Sequence, residues 1–244
     1  MTVIIAHRGS AGTHPENTLP AFMEAVRTGA DGIELDVHLT ADQQLVVIHD
    51  ESVDRTTDGK GLIRELTLEE IKELDAGSWF DEKYQATKIS TLQEVLNLLL
   101  QMRFRGFLCI EIKTNKFHYP GIEEKISEVM TSKEWPFTYW YTSFNIDSLR
   151  IMHEYEPDRQ YDLIQKNDLE KYKAVLDIDF IEGLHPSFDW VKQNPEIVKS
   201  FEKSIRPWTP NLYETMMTCY ENNLAGIITD FPEKAIRTRS RFKQ

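Results

Sequence analysis

The sequence predicts an α/β fold: a closed (β/α)8 barrel with a small insertion after its second strand. Three observations predict it. Short apolar runs rich in β-branched and aromatic residues alternate with longer stretches of helical period along nearly the whole chain. That alternation repeats as eight strand-then-helix units, and such units build a parallel sheet. A length of 244 residues suits eight units closed into one barrel better than an open doubly wound sheet.

The elements follow in order. Thr2–Ala6 reads as the first strand. Residues 17–28 read as a helix, with Asn17 or Thr18 as N-cap and Gly29 just past the end. Gly32–Val37 is the second strand, and Leu45–Ile48 an extra one inside an excursion of about residues 45–90. Thr67 and Glu70 stand at capping-box spacing before a helix over 67–74, and Thr91 and Glu94 repeat the pattern before 91–102. The alternation then becomes regular. Strands are predicted at Phe107–Ile112, Phe137–Thr142, Gln160–Ile164, Phe180–Leu184, Ser204–Trp208 and Gly226–Thr229. Helices follow them over 121–131, 146–154, 168–176, 188–202 (broken near Pro195), 211–222 and 232–240. No linker, low-complexity tract or second core stands out, so residues 1–244 read as one domain with the insertion inside it.

Bulk properties bound the chemistry. Apolar content of 41% and charged content of 28% are ordinary for a globular protein, and a chain this long buries a core without disulfides. A net charge of -12 argues against a nucleic-acid partner, because phosphate backbones select basic surfaces. It leaves a small phosphate-bearing substrate open, since a divalent cation supplies local positive charge. Cys109, in the apolar run Gly106–Ile110, reads as a buried small hydrophobe, and with Cys219 it forms no zinc or disulfide pattern. The N-terminus carries no basic or long apolar leader segment, and no apolar stretch is long enough to span a bilayer. The expectation is a cytoplasmic enzyme without stable membrane insertion. A homodimer is compatible with the sequence, although no exposed heptad or apolar stripe specifies one.

A barrel carries its active site at the C-terminal ends of its strands. Those ends here read His7-Arg8-Gly9, Glu34-Leu35-Asp36 and Glu111-Ile112-Lys113, with His49-Asp50 ending the extra strand. Later ends carry Ser143, His185, Trp208 and Asp230. Glu34 and Asp36 are two apart and share one face of their strand, and Glu111 adds a third oxygen donor. Carboxylates held together repel unless a cation sits among them, and hard oxygen ligands suit Mg²⁺ or Ca²⁺ better than zinc. His7 and His49 are candidates for general acid and base, because imidazole titrates near neutrality. Arg8 suits phosphate oxygens through its planar fork, and Lys113, on the face of Glu111, offers a point charge. Trp140, Tyr141, Phe144, Trp190 and Trp208 lie near later strand ends, where an aromatic ring can pack on substrate.

At these residues the sequence resembles the glycerophosphodiester phosphodiesterase family. The resemblance rests on His7-Arg8-Gly9, Pro15-Glu16-Asn17-Thr18, Gly32-Ile33-Glu34-Leu35-Asp36-Val37 and Val47-Ile48-His49-Asp50. It continues through Asp54-Arg55-Thr56-Thr57-Asp58-Gly59-Lys60-Gly61, Glu111-Ile112-Lys113 and Gly226-Ile227-Ile228-Thr229-Asp230-Phe231-Pro232. It spans nearly the whole chain, tightly over the first 61 residues and loosely over 114–200. It departs at Ser143-Phe144, where Ser-Ser-Phe is common, and at Ala225, a frequent aspartate. The resemblance implies a TIM barrel with a small inserted subdomain and metal ligation by Glu34, Asp36 and Glu111. It implies acid/base roles for His7 and His49, and phosphate contacts from Arg8 and Lys113. Glu16 and Asn17 would line or brace the site. Apart from the resemblance, Trp208 is the aromatic at a strand end expected to touch substrate. The implied reaction is metal-dependent hydrolysis of a glycerophosphodiester to sn-glycerol-3-phosphate and an alcohol. Two alternatives are a lysophospholipase D-type phosphodiesterase and a non-catalytic phosphodiester-binding module. The acidic balance and the lack of a basic amphipathic helix weigh against the first. The intact set of carboxylates and histidines weighs against the second.

Overall fold

Every residue of the second strand is buried, which requires a sheet covered on both faces. The computed structural model, which describes residues 1–167, 172 and 175–242, arranges the strands accordingly. In chain order they are β1 (Val3–Ala6), β2 (Gly32–Leu39), β3 (Leu45–Val47), β4 (Ser90–Thr91) and β5 (Phe107–Ile112). Then come β6 (Thr138–Ser143), β7 (Tyr161–Gln165), β8 (Gly183–Pro186), β9 (Ser204–Ile205) and β10 (Gly226–Thr229). Neighbours run β10-β1-β2-β5-β6-β7-β8-β9, all parallel. The fold is a (β/α)8 barrel, and Trp208 closes it. That residue bridges Ser187 on one side and Ile228 on the other, and the Ile228 N–H donates to the Pro207 carbonyl at 2.9 Å.

Two strands differ from their expected bounds by more than two residues at one end. β8 starts at Gly183 rather than Phe180, because the Ile181 N–H turns back to the Ile178 carbonyl at 3.1 Å. β9 keeps only Ser204–Ile205 of Ser204–Trp208, because Pro207 has no N–H for the ladder. The N–H groups of Arg206 and Trp208 still donate to Leu184 and Pro186, so the chain runs extended to the closure.

The helices cover the outside. α1 (Leu19–Thr28) ends in Gly29, which adopts the left-handed conformation at φ 79°. Thr18 occupies its N-cap without a side-chain cap bond, so neither expected cap residue caps through its side chain. Both capping boxes form, on α2 (Leu68–Glu73) and α3 (Leu92–Gln101). The expected break near Pro195 separates Phe188–Gln193 from Pro195–Ser200. Most of the helix expected over 168–176 lies outside the described residues; Tyr172, Val175 and Leu176 are helical. No helix among the described residues is long and apolar enough to cross a membrane.

Alternation along each strand divides the apolar side chains between two cores. Ile33, Leu35, Leu108 and Ile110 face outward and pack with Phe22, Leu96 and Leu99 beneath the helices. Ile5, Cys109, Trp140 and Ile228 fill the barrel interior, so Cys109 is the buried hydrophobe its context predicts. Phe107 stacks on Trp140 with ring centres 4.4 Å apart. A Cβ at Gly32 would meet the Phe107 ring at 1.9 Å, so only glycine fits there.

β3 leaves β2 antiparallel and pairs with β4, carrying the insertion beside the barrel mouth. Its apolar residues (Val46, Ile48, Val53, Ile63, Ile71, Ala76 and Ile89) form a separate cluster of their own. Val46 and Ile48 come from the run Leu45–Ile48 that the sequence marks as a strand, whereas Val53, Ile63, Ile71, Ala76 and Ile89 are spread along the insertion.

Candidate active site

The interior above the Cys109 layer turns polar because strand ends must stop at the mouth and expose side chains there. A cavity of about 600 Å³ opens at that end, lined among others by His7, Arg8, Glu34, His49, Glu111 and Lys113. Its size is ordinary for a small-molecule site.

Register brings the carboxylates together. Asp36 lies directly opposite Glu111 across the β2–β5 ladder, and Glu34 is two residues below Asp36 on the same face. Oxygens of all three lie within 4.8 Å of one another, and all three residues are buried. Burial, with the charges of Asp36 and Glu111, pushes Glu34 well above the usual carboxylate range. Burial also raises Glu111, against the pull of Lys113. Burial acts on Asp36 in the same sense, but Lys113, His49 and Arg8 outweigh it and hold that carboxyl low. Asp36 Oδ1 is buried without a hydrogen-bond partner, 3.4 Å from Lys113 Nζ. Three hard oxygens, one of them orphaned, fit a divalent cation.

Two cations face this triad. Lys113 Nζ donates to Glu111 Oε1 at 2.7 Å, and these carboxylates raise its pKa against the effect of burial. Arg8 has φ 51°, left-handed for a non-glycine residue. That turn places its backbone N–H on Glu34 Oε2 at 2.9 Å and its Nη1 on Glu16 Oε1 at 2.8 Å. Arg8 Nε, buried and unpartnered, lies 3.5 Å from Asp36 Oδ2. The next residue, Gly9, keeps φ 79°, and a Cβ there would stand 2.6 Å from the Ala21 backbone. Asn17, also left-handed at φ 56°, donates its carboxamide to Asp36 Oδ2 at 2.8 Å instead of capping α1.

Each histidine has a carboxylate behind it. His7 Nδ1 meets Asp230 Oδ1 at 2.6 Å, and Asn211 Nδ2 donates to Asp230 Oδ2 at 2.5 Å. Burial and the Arg8 charge lower the His7 pKa, against the opposing pull of Asp230. His49 Nδ1 meets Asp50 Oδ1 at 2.6 Å. In both rings Nδ1 is engaged, which leaves Nε2 for a substrate.

Of the five aromatic candidates, Phe144 and Trp208 line the cavity and meet edge to face at 6.2 Å. Trp208 Nε1 donates to the His185 carbonyl at 3.0 Å, which fixes its ring. The others lie elsewhere: Trp140 is buried in the barrel interior, Tyr141 points outward to Glu156, and Trp190 packs on Tyr172. The structure therefore brings together His7, His49, Arg8, Lys113, Glu16, Trp208, Glu34, Asp36 and Glu111 at one mouth. Sequence reasoning gave no role to Asp230, Asn211, Asp50 or Arg55. Asp50 was legible as the neighbour of His49. Asp230 lies 223 residues from His7, and only barrel closure joins them.

The glycerophosphoryl diester phosphodiesterase family matches residues 7–234. A Caldanaerobacter subterraneus subsp. tengcongensis protein named glycerophosphodiester phosphodiesterase is 42% identical over 239 residues, 96% of each chain. A Bacillus altitudinis protein of the same name is 38% identical over 246 residues, 100% of each chain. Among solved structures, an Oleispira antarctica phosphodiesterase in complex with the product sn-glycerol-3-phosphate superposes with a TM-score of 0.86. That pair is 30% identical, with 98% of this chain and 97% of the other covered.

Proposed function

The chain belongs to the glycerophosphoryl diester phosphodiesterase family, and on that premise we propose that it hydrolyses glycerophosphodiesters such as glycerophosphocholine and glycerophosphoethanolamine to sn-glycerol-3-phosphate and an alcohol. The observation that carries this is the juxtaposition, in one cavity, of a buried carboxylate triad, two cationic side chains and two carboxylate-backed histidines. A product of the same kind in the Oleispira relative supports the substrate class.

Glu34, Asp36 and Glu111 would hold Mg²⁺ or Ca²⁺, and the orphaned Asp36 Oδ1 supports that assignment. A divalent cation bound there supplies Lewis-acid neutralisation of charge on the phosphate oxygens. Arg8 and Lys113 bind the remaining phosphate oxygens. Trp208 and Phe144 wall the organic part of the substrate and exclude water from it. One histidine takes the proton of the attacking hydroxyl at Nε2, and the other returns a proton at Nε2 to the departing alkoxide. Asp230 and Asp50 hold each ring by Nδ1 and stabilise the imidazolium that forms. We place the enzyme in the cytoplasm, a reading that its two free, buried cysteines support.

The test compares turnover of glycerophosphocholine and of lysophosphatidylcholine by wild type, His7→Ala and His49→Ala. The proposal expects turnover of the first substrate, little of the second, and collapse in either variant. Preferred cleavage of the lysolipid would reassign the enzyme to lipid substrates. Wild-type turnover in either variant would sink the two-histidine mechanism.

A further inference from the structure

One side chain of the insertion connects both flanks of the cavity, and no chemical step above uses it. Arg55 lies in the Asp54–Gly61 run. Its guanidinium makes two forks. Towards Asp50, Nε donates to Oδ2 at 2.6 Å and Nη2 to Oδ1 at 3.2 Å. Towards Glu16, Nη1 donates to Oε2 at 2.9 Å and Nη2 to Oε1 at 2.7 Å. Each gripped carboxylate holds a group that faces the cavity. Asp50 Oδ1 sits 2.6 Å from His49 Nδ1, and Glu16 Oε1 accepts from Arg8 Nη1 at 2.8 Å. The continuous chain His49–Asp50–Arg55–Glu16–Arg8 therefore spans from the insertion to the first barrel strand.

We propose that Arg55 is a positioning residue that sets His49 and Arg8 in register with each other. The proposal rests on the roles assigned above to those two residues. Its side chain is 44% exposed, so its ion pairs contribute little to stability by themselves. Its effect is geometric. Two planar forks fix the orientation of two carboxylates at once, which a point charge does not do. Without the guanidinium, Asp50 and Glu16 keep their negative charges with nothing between them and repel. Asp50 then turns away from His49 and Glu16 shifts with Arg8, so both catalytic flanks lose alignment together. The insertion is thereby part of the catalytic apparatus as well as a wall beside it.

The competing account is that Arg55 only pins the insertion to the barrel. Asp75 separates the two. It accepts N–H bonds from Gly77, Ser78 and Ala86 inside the insertion and bonds to none of the relay residues. The experiment measures kcat, KM and Tm with glycerophosphocholine for wild type, His49→Ala, Arg55→Ala, Arg55→Lys and Asp75→Asn. Arg55→Ala should lose about 10–100-fold in kcat, the usual cost of removing a partner that orients a catalytic group, and its KM should rise. Arg55→Lys should recover only part of kcat. Free guanidinium ion should restore activity to Arg55→Ala and not raise that of wild type. Asp75→Asn should lower Tm and leave kcat unchanged. Wild-type kcat in Arg55→Ala overturns the proposal, as does an equal loss of kcat in Asp75→Asn. If Arg55→Ala does not fold, wild-type kcat in Arg55→Lys overturns it. Full turnover by His49→Ala would instead mean that the underlying catalytic assignment fails.

Discussion

Asp230→Asn is a near-isosteric change whose consequence can be worked out from the bonds around Asn211. The Asn211 carboxamide oxygen accepts from both Thr229 Oγ1 and the Asp230 backbone N–H, each at 2.9 Å. Its orientation is therefore fixed, and its NH₂ group must point at residue 230. An asparagine at 230 has to turn its own oxygen towards Asn211 and its own NH₂ towards His7 Nδ1. His7 Nδ1 then accepts instead of donating, and its proton moves to Nε2. A base with Nε2 already protonated cannot take a proton, and an imidazolium facing an NH₂ group loses its stabilising acceptor. Either role fails. By analogy with the same wrong-tautomer substitution in a catalytic triad, the loss in kcat is on the order of 10³–10⁴. Asp230→Ala, which imposes no tautomer, should lose only about 10–100-fold. The pH dependence carries a second sign. Asp230 raises the His7 pKa against burial and Arg8, so removing its charge lowers that pKa further. Whichever limb of the pH–rate profile His7 sets must move to lower pH in both variants. Steady-state kinetics across pH 5 to 9 reads both effects. An Asp230→Asn enzyme no slower than Asp230→Ala, or with an unmoved profile, would refute the reasoning.

Other perturbations test other levels. Ca²⁺ or Mg²⁺ at a hundred times its Kd should stabilise the EDTA-treated protein by about 2.7 kcal/mol, or roughly 5–10 °C in Tm for this chain length. Glu34→Gln should abolish that thermal shift while itself folding normally, because burial already favours a neutral group there; superimposed melting curves with and without cation in wild type would count against the triad. Ile110→Ala empties a fully buried site beneath the helices and should cost about 2–5 kcal/mol in denaturant unfolding, and a loss under 1 kcal/mol would mean that layer is loosely packed. Thr91→Ala removes the capping box of α3 and should cost about 1 kcal/mol with kcat unchanged.

The barrel was legible because its signal is repeated. Eight strands of alternating or continuous apolar character leave little room for another topology, and Phe107–Ile112 and Gly226–Thr229 match their expected bounds residue for residue. Shifts came where a proline or a turn interrupts the ladder, as at Pro207 and Ile178–Ile181. The carboxylate triad was legible because period-two alternation places Glu34 with Asp36 and Glu111 with Lys113 without knowledge of the rest. The supporting groups were legible only in part. Asn17 reads as a helix cap by residue type and as a brace of the site by resemblance, and its left-handed backbone turns it to Asp36. Asp230 and Arg55 act through contacts that exist only after barrel closure and docking of the insertion. Of the aromatics near later strand ends, Trp208, the one expected to touch substrate, lines the cavity, whereas Trp190 is buried against Tyr172.

The most direct measurement is release of sn-glycerol-3-phosphate from glycerophosphocholine by wild type and Glu34→Gln, first in EDTA and then with Mg²⁺ or Ca²⁺ restored. Release by wild type only with cation, and none by Glu34→Gln under either condition, is the predicted result. Equal release in EDTA, or full activity in Glu34→Gln, would contradict a cation held by the buried triad as the centre of the chemistry.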